Sequence, residues 1–222
     1  MFKQIQNKIA EWERNFFYRK LANVVGIKTK LTYGISYFVI EERHADNKEN
    51  RVIYDWMNNL GGGGCLPNGI IILNKDDLDM IFDACQKRGA NISRKDLELY
   101  ILGHEYGHYV RDMDSGKSLF LDHILVGLHK LVGKKYGPYE NKTQHEISSM
   151  ESYADVNGIR LSKISKRTYG IVIDVLKDIL YASEGVGVNE ITDTERASYK
   201  RNQIDKYIAE RYNLTCERYF DK

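Results

Sequence analysis

His104-Glu105-Tyr106-Gly107-His108 is the stretch of this chain with the most chemistry in it. Two histidines four residues apart lie on one face of a helix, one turn above each other. Both imidazoles can then reach one Zn2+ ion at about 2.0–2.1 Å. Glu105 is turned roughly 100° from His104 around the helix, so it does not compete as a ligand. It is placed instead to act as general base on a metal-bound water. The chemistry expected of this string is metal-assisted hydrolysis of a peptide bond, with His104 and His108 as metal ligands and Glu105 catalytic.

A catalytic zinc needs a third protein ligand and one open position for water. Glu151, 43 residues after His108, is the choice for that ligand. Glu151 and Asp155 are i,i+4 neighbours and share a helix face. One carboxylate can bind the metal while the other accepts a hydrogen bond from a ligand histidine and fixes its tautomer. Two rivals stay open. Asp114 lies ten residues after His104, but a ligand there needs a sharp turn at a glycine, and Arg111 stands at that position. Asp112 is one turn beyond His108. Gly107 and Ala154 are small enough to let two helices approach closely around an ion. Cys65 could cap a zinc, since thiolate binds it well, although it reads first as a small loop residue. Tyr106, Tyr109 and Tyr153 are near in sequence and could donate to the oxyanion of a tetrahedral intermediate; nothing selects among them. His123, His129 and His145 read as ordinary helix histidines, with His145 the best placed for a supporting role.

These residues need elements to hold them. Residues 2–24 read as an amphipathic helix, Lys30–Glu41 as one alternating strand, Arg51–Trp56 as a second strand and Gly69–Asn74 as a short buried strand. Gly61–Gly64 reads as a flexible connector, or as a lid, and no Gly-Lys-Ser/Thr follows it to make a phosphate loop. Helices are expected over 76–87, 94–112, 117–134, 143–164, 168–183 and 193–211. Ser93 with Asp96, and Thr143 with Glu146, suit helix N-termini. Ile147, Met150, Ala154 and Ile159 suit a buried stripe. Arg196, Lys200, Arg201, Lys206, Arg211 and Arg218 read as a solvated basic face. Strands first and helices after make the fold class α+β.

Gly-His-Glu-Tyr-Gly-His followed by Glu-Ser-Tyr-Ala-Asp resembles the gluzincin clan of zinc peptidases. The Glu-x-x-Ala-Asp form is similar to that of the CAAX-prenyl-protease/HtpX group and of the ImmA/IrrE group. The resemblance covers the two motif segments, about a fifth of the chain, and is motif-level. It implies a zincin-like fold, Zn2+ held by His104, His108 and Glu151, Glu105 as base, and Asp155 supporting a ligand from behind. It also implies a protein or peptide substrate, bound in extended form along the edge of the strand that precedes the His104 helix.

With 222 residues the chain is long enough for one full core, and a single domain over 1–222 is expected. Its parts are an N-terminal helix (1–26), a strand-rich part (27–74) and a helical part (75–222). A net charge of +2 gives no reason to expect a nucleic-acid partner. Three scattered cysteines, Cys65, Cys85 and Cys216, make no disulfide framework. No apolar run reaches the roughly 18 residues of a membrane span. Leu119–Leu128 is the most apolar stretch and carries Asp122, so it reads as a buried helix. The first residues alternate charge with apolar side chains, and a cytoplasmic protein is expected.

Overall fold

The computed structural model describes residues 30–41, 63–65, 71–114, 142–186 and 195–222. The helices expected over 2–24 and 117–134, the strand Arg51–Trp56, and His123 and His129 lie outside the described residues. The architecture is mixed α+β, with a small N-terminal sheet and a mostly helical remainder. The chain divides into two compact units, residues 1–78 with 105–138, and residues 79–104 with 139–222.

In the first unit four strands form one sheet: β1 (Lys30–Thr32), β2 (Ile35–Ile40), β3 (Gly63–Cys65) and β4 (Ile71–Asn74), in the order β1-β2-β4-β3. The single strand expected over Lys30–Glu41 is a hairpin. Tyr33 (φ 50°) and Gly34 (φ 79°) form its two-residue turn, and Thr32 pairs with Ile35 across it. Two positive φ values match the twist of paired strands, which is why so short a loop folds back here. β2 and β4 run parallel, from Tyr37 opposite Ile71 to Ile40 opposite Asn74, and β3 lies antiparallel to β4. Ile71, Ile72 and Leu73 are each about fully buried, as a strand covered on both faces requires. β4 is therefore an inner strand with both edges paired, and it has no edge left for an extended peptide. The role expected for the strand before the His104 helix does not fit it. Gly63 and Gly64, read as a connector, belong to β3, which with β1 is an outer strand among the described residues. Asn74 closes the sheet and opens helix α1 (Lys75–Lys87): its Oδ1 accepts from the Asp76 amide at 2.9 Å.

In the second unit the helices α2 (Arg94–Asp114, residues 94–104 of it), α3 (Gln144–Ser162), α4 (Lys166–Ser183) and α5 (Glu195–Thr215) surround a core of Leu97, Tyr100, Leu102, Ala154, Ile159, Tyr169 and Val172, all fully buried. A single π turn, Cys216–Phe220, follows α5. The N-termini form where the side chains can satisfy the first free amides. The Asp96 amide donates to Ser93 Oγ at 3.1 Å, and the Ser93 amide to Asp96 Oδ2 at 3.4 Å. Thr143 and Glu146 make the same reciprocal pair on α3. The stripe expected on α3 is inward: Met150, Ala154 and Ile159 are buried and Ile147 is half-buried.

Gly103 and Gly158 make a close approach of α2 to α3. A Cβ on Gly103 would stand 2.8 Å from the Asn157 carbonyl oxygen, and one on Gly158 would stand 2.6 Å from that of Tyr100. Backbone meets backbone there, so neither neighbour can give way by turning a side chain. The basic face of α5 is not simply solvated. Arg211 is 6% exposed. Arg218, beyond α5, donates to the Ser149 carbonyl at 2.7 Å, and Arg201 donates to that of Val186 at 3.0 Å. Guanidinium groups on this segment serve as internal donors where α5 packs on α3 and α4.

The glycine pair gives a first prediction. Gly158→Ala should lower stability by about 1–3 kcal/mol, the usual cost of forcing a methyl group into packed space. Thermal melts check this; an unchanged midpoint would mean that the two helices can move apart freely.

Candidate metal centre

α2 is unbroken from Arg94 to Asp114, so His104 and His108 stand one turn apart on one face by helix geometry alone. The backbone stays helical past His108 and Arg111. The turn that an Asp114 ligand needs is absent from this stretch. Glu151 and Asp155 stand one turn apart on α3, and the Gly103–Gly158 approach brings their turn against His104.

The two ring nitrogens of His104 meet one carboxylate each. Nε2 lies 3.3 Å from Glu151 Oε2, and Nδ1 lies 2.9 Å from Asp155 Oδ1. The side chains of His104 and Glu151 are only 12% and 9% exposed. Among the described residues, His104, His108 and Glu151 are the one set of three or more His, Cys, Asp or Glu side chains able to hold an ion together, their ligand atoms all within 4.8 Å of one another. Two ligands of a tetrahedral zinc at about 2.0–2.1 Å stand about 3.3–3.4 Å apart. The Nε2–Oε2 spacing already has that value, and Nδ1 is engaged with Asp155. The donors, two imidazoles and a carboxylate, are those of an open zinc site. The three residues could therefore hold a metal ion. Cys65 is not one of the set. Glu105 is half-buried on the helix between the two histidines.

Asp155 is the anchor of this arrangement and is fully buried. Its Oδ1 accepts from Tyr100 Oη at 2.7 Å, from Arg211 Nη2 at 2.7 Å and from the His104 ring. Its Oδ2 accepts from Tyr169 Oη at 2.8 Å and Arg211 Nε at 2.7 Å. The Arg211 contact is the two-pronged guanidinium–carboxylate pair, the strongest form of such a bond. Burial alone would raise the Asp155 pKa, but the charge and hydrogen bonds of Arg211, helped by His104, hold it well below the usual carboxylate range. Burial likewise works against a charged His104, yet its bonds to Asp155 and Glu151 outweigh this and push the ring up to about 10. Arg211 also reaches forward, its Nη1 3.4 Å from Glu151 Oε2. One guanidinium thus holds both carboxylates of α3.

The residues singled out from sequence as ligands group together and Asp155 meets the His104 ring, but three members of the Asp155 cluster were not anticipated. Tyr100 had a legible signal, lying four residues before His104 on the same face. Arg211 had one too, sitting in a stripe of Ile204, Tyr207, Ile208 and Thr215 at helical spacing, where an arginine must find an internal acceptor. Tyr169 had none. His145 is not part of the cluster; it pairs with Glu210 at 2.6 Å on the surface. Tyr106 and Tyr109 lie tilted against each other, their ring centroids 6.2 Å apart, and Tyr153 is exposed. No helix among the described residues is long and apolar enough to cross a membrane. No protein-family model, curated protein or solved structure matches this chain.

Proposed function

We propose that this chain is a zinc-dependent peptidase of the gluzincin type with a zincin-like fold. The observation that carries the reading is the grouping of the ligand atoms of His104, His108 and Glu151 within 4.8 Å of one another, with Glu105 between the two histidines on the helix. His104 Nε2, His108 and Glu151 Oε2 would hold the ion. Zinc in such a site supplies a water of lowered pKa and polarises the scissile carbonyl. Glu105 takes the proton from the attacking water and passes it to the leaving amine. Asp155 fixes the His104 ring so that Nε2 faces Glu151, and Arg211 keeps Asp155 ionised. A protein or peptide is the substrate class this chemistry serves.

The test is direct. Purified protein loaded with zinc should contain one ion per chain by elemental analysis and should cleave denatured casein. A chelator should stop cleavage and added zinc restore it. Protein that binds no zinc under these conditions would sink the reading.

One observation favours a second reading, a metal-free structural core. Glu151 and Asp155 already meet the Arg211 guanidinium, and both ring nitrogens of His104 already face these carboxylates. A purely structural cluster has no use for Glu105, and the same zinc analysis separates the two.

A further inference from the structure

Peptide hydrolysis through a metal-activated water passes through a tetrahedral intermediate whose oxygen carries a negative charge, and a hydrogen-bond donor aimed at that oxygen is worth a large share of the rate. Among the described residues, Tyr106, Tyr109 and Tyr153 make no side-chain hydrogen bond to the cluster. The structure presents another. Tyr207, one turn before Arg211 on α5, is half-buried, and its Oη accepts a hydrogen bond from Arg211 Nη1 at 3.2 Å. The same Nη1 lies 3.4 Å from Glu151 Oε2, and that oxygen lies 3.3 Å from His104 Nε2. One guanidinium nitrogen therefore holds the phenol beside the ligand pair.

We infer that Tyr207 is a catalytic residue whose hydroxyl donates a hydrogen bond to the oxyanion of the tetrahedral intermediate, with Arg211 holding it in place. The inference rests on the peptidase reading and adds to it the group that distinguishes the intermediate from the substrate.

A phenol has one proton to donate and lone pairs to accept with. Arg211 occupies a lone pair of Tyr207, so the hydroxyl proton must point away from the guanidinium. Among the described residues that proton meets no acceptor. The bond from Arg211 also pulls electron density from the phenol oxygen and makes its proton a better donor, since linked hydrogen bonds polarise one another. Burial raises the phenol's pKa above its ordinary value, opposed by Arg211. Tyr207 thus keeps its proton at neutral pH. Tyr100 and Tyr169 are unsuited to the role, because their hydroxyls already donate hydrogen bonds to Asp155.

The experiment compares zinc-loaded wild type and Tyr207→Phe in binding two small probes, phenylphosphonate and acetate, by titration calorimetry. Phosphonate presents tetrahedral oxyanions to the site; acetate presents a planar carboxylate. Phenylalanine removes only the hydroxyl, and zinc content and melting midpoint establish that the variant is folded and loaded. The expected result is phosphonate binding at least tenfold weaker in Tyr207→Phe, with acetate binding changed less than twofold. Equal phosphonate affinity in the two proteins overturns the inference. An equal loss for both probes also overturns it, because the hydroxyl would then act on the ion rather than on the tetrahedral group. The measurement needs no turnover. Failure of wild type to cleave casein while phosphonate binding depends on Tyr207 would remove the peptidase reading and leave the donor assignment standing.

Discussion

Glu105→Gln is expected to bind zinc as the wild type does and to lose hydrolysis by at least two to four orders of magnitude. Glutamine keeps the size and polarity of the side chain and removes its ability to take a proton. Positioned general bases contribute about 10²–10⁴ in rate, which is about 3–5 kcal/mol of barrier. The ligand atoms on His104, His108 and Glu151 are untouched, so one zinc per chain should remain by elemental analysis. Folding should remain as well, because Glu105 is half-buried and lies outside the Asp155 cluster. Casein cleavage by matched zinc-loaded samples is the measurement. A variant as fast as wild type would show that the proton leaves by another route and that the mechanism proposed for Glu105 is wrong.

Asp155→Ala should be the most damaging substitution for stability. It leaves Arg211 buried without its carboxylate, and it removes the acceptor of Tyr100, Tyr169 and the His104 ring together. Removing one partner of a buried ion pair costs about 3–5 kcal/mol, a large part of the roughly 5–15 kcal/mol that holds a typical domain together. Denaturant titration of wild type, Asp155→Ala, Arg211→Met and the double variant tests this. The double variant should be less unstable than the sum of the two single losses, because no buried charge is left alone. Additive losses would mean that the pair does not act as a unit.

The same pair sets a pH dependence. The pKa of Asp155 is depressed in the folded chain. Its stabilisation is therefore complete above the ordinary carboxylate value of about 3.9 and is lost as pH falls below it. Wild type should lose stability between pH 5 and pH 3 by more than Asp155→Asn does, read as the difference in urea midpoints. Parallel acid curves for the two proteins would remove Asp155 from the account.

What could be read from the residues in order was local. Helix α2 was legible from Ser93, Asp96 and the apolar steps at Leu97 and Ile101, and α3 from Thr143, Glu146 and the stripe through Ile159. Those signals depend on hydrogen bonds and side-chain periodicity within a few residues, which any chain of this sequence would feel before it had a tertiary structure. The i,i+4 spacing of His104 and His108, and of Glu151 and Asp155, followed from the helices at once. The turn at Tyr33-Gly34 was as local but was masked by alternating apolar residues that suit one long strand and a hairpin equally. Only the tertiary structure decided how the pieces meet. Gly103 against Gly158 set the distance between α2 and α3, through backbone contact that no pattern of side chains announces. The inner place of β4 followed from pairing with β2 and β3, which lie apart in the chain. The choice of Asp155 by Arg211, and of Tyr207 by the same guanidinium, came from burial. Once α5 packed on α3, an arginine in its apolar stripe had to find acceptors inside, and the carboxylates of α3 were the ones within reach.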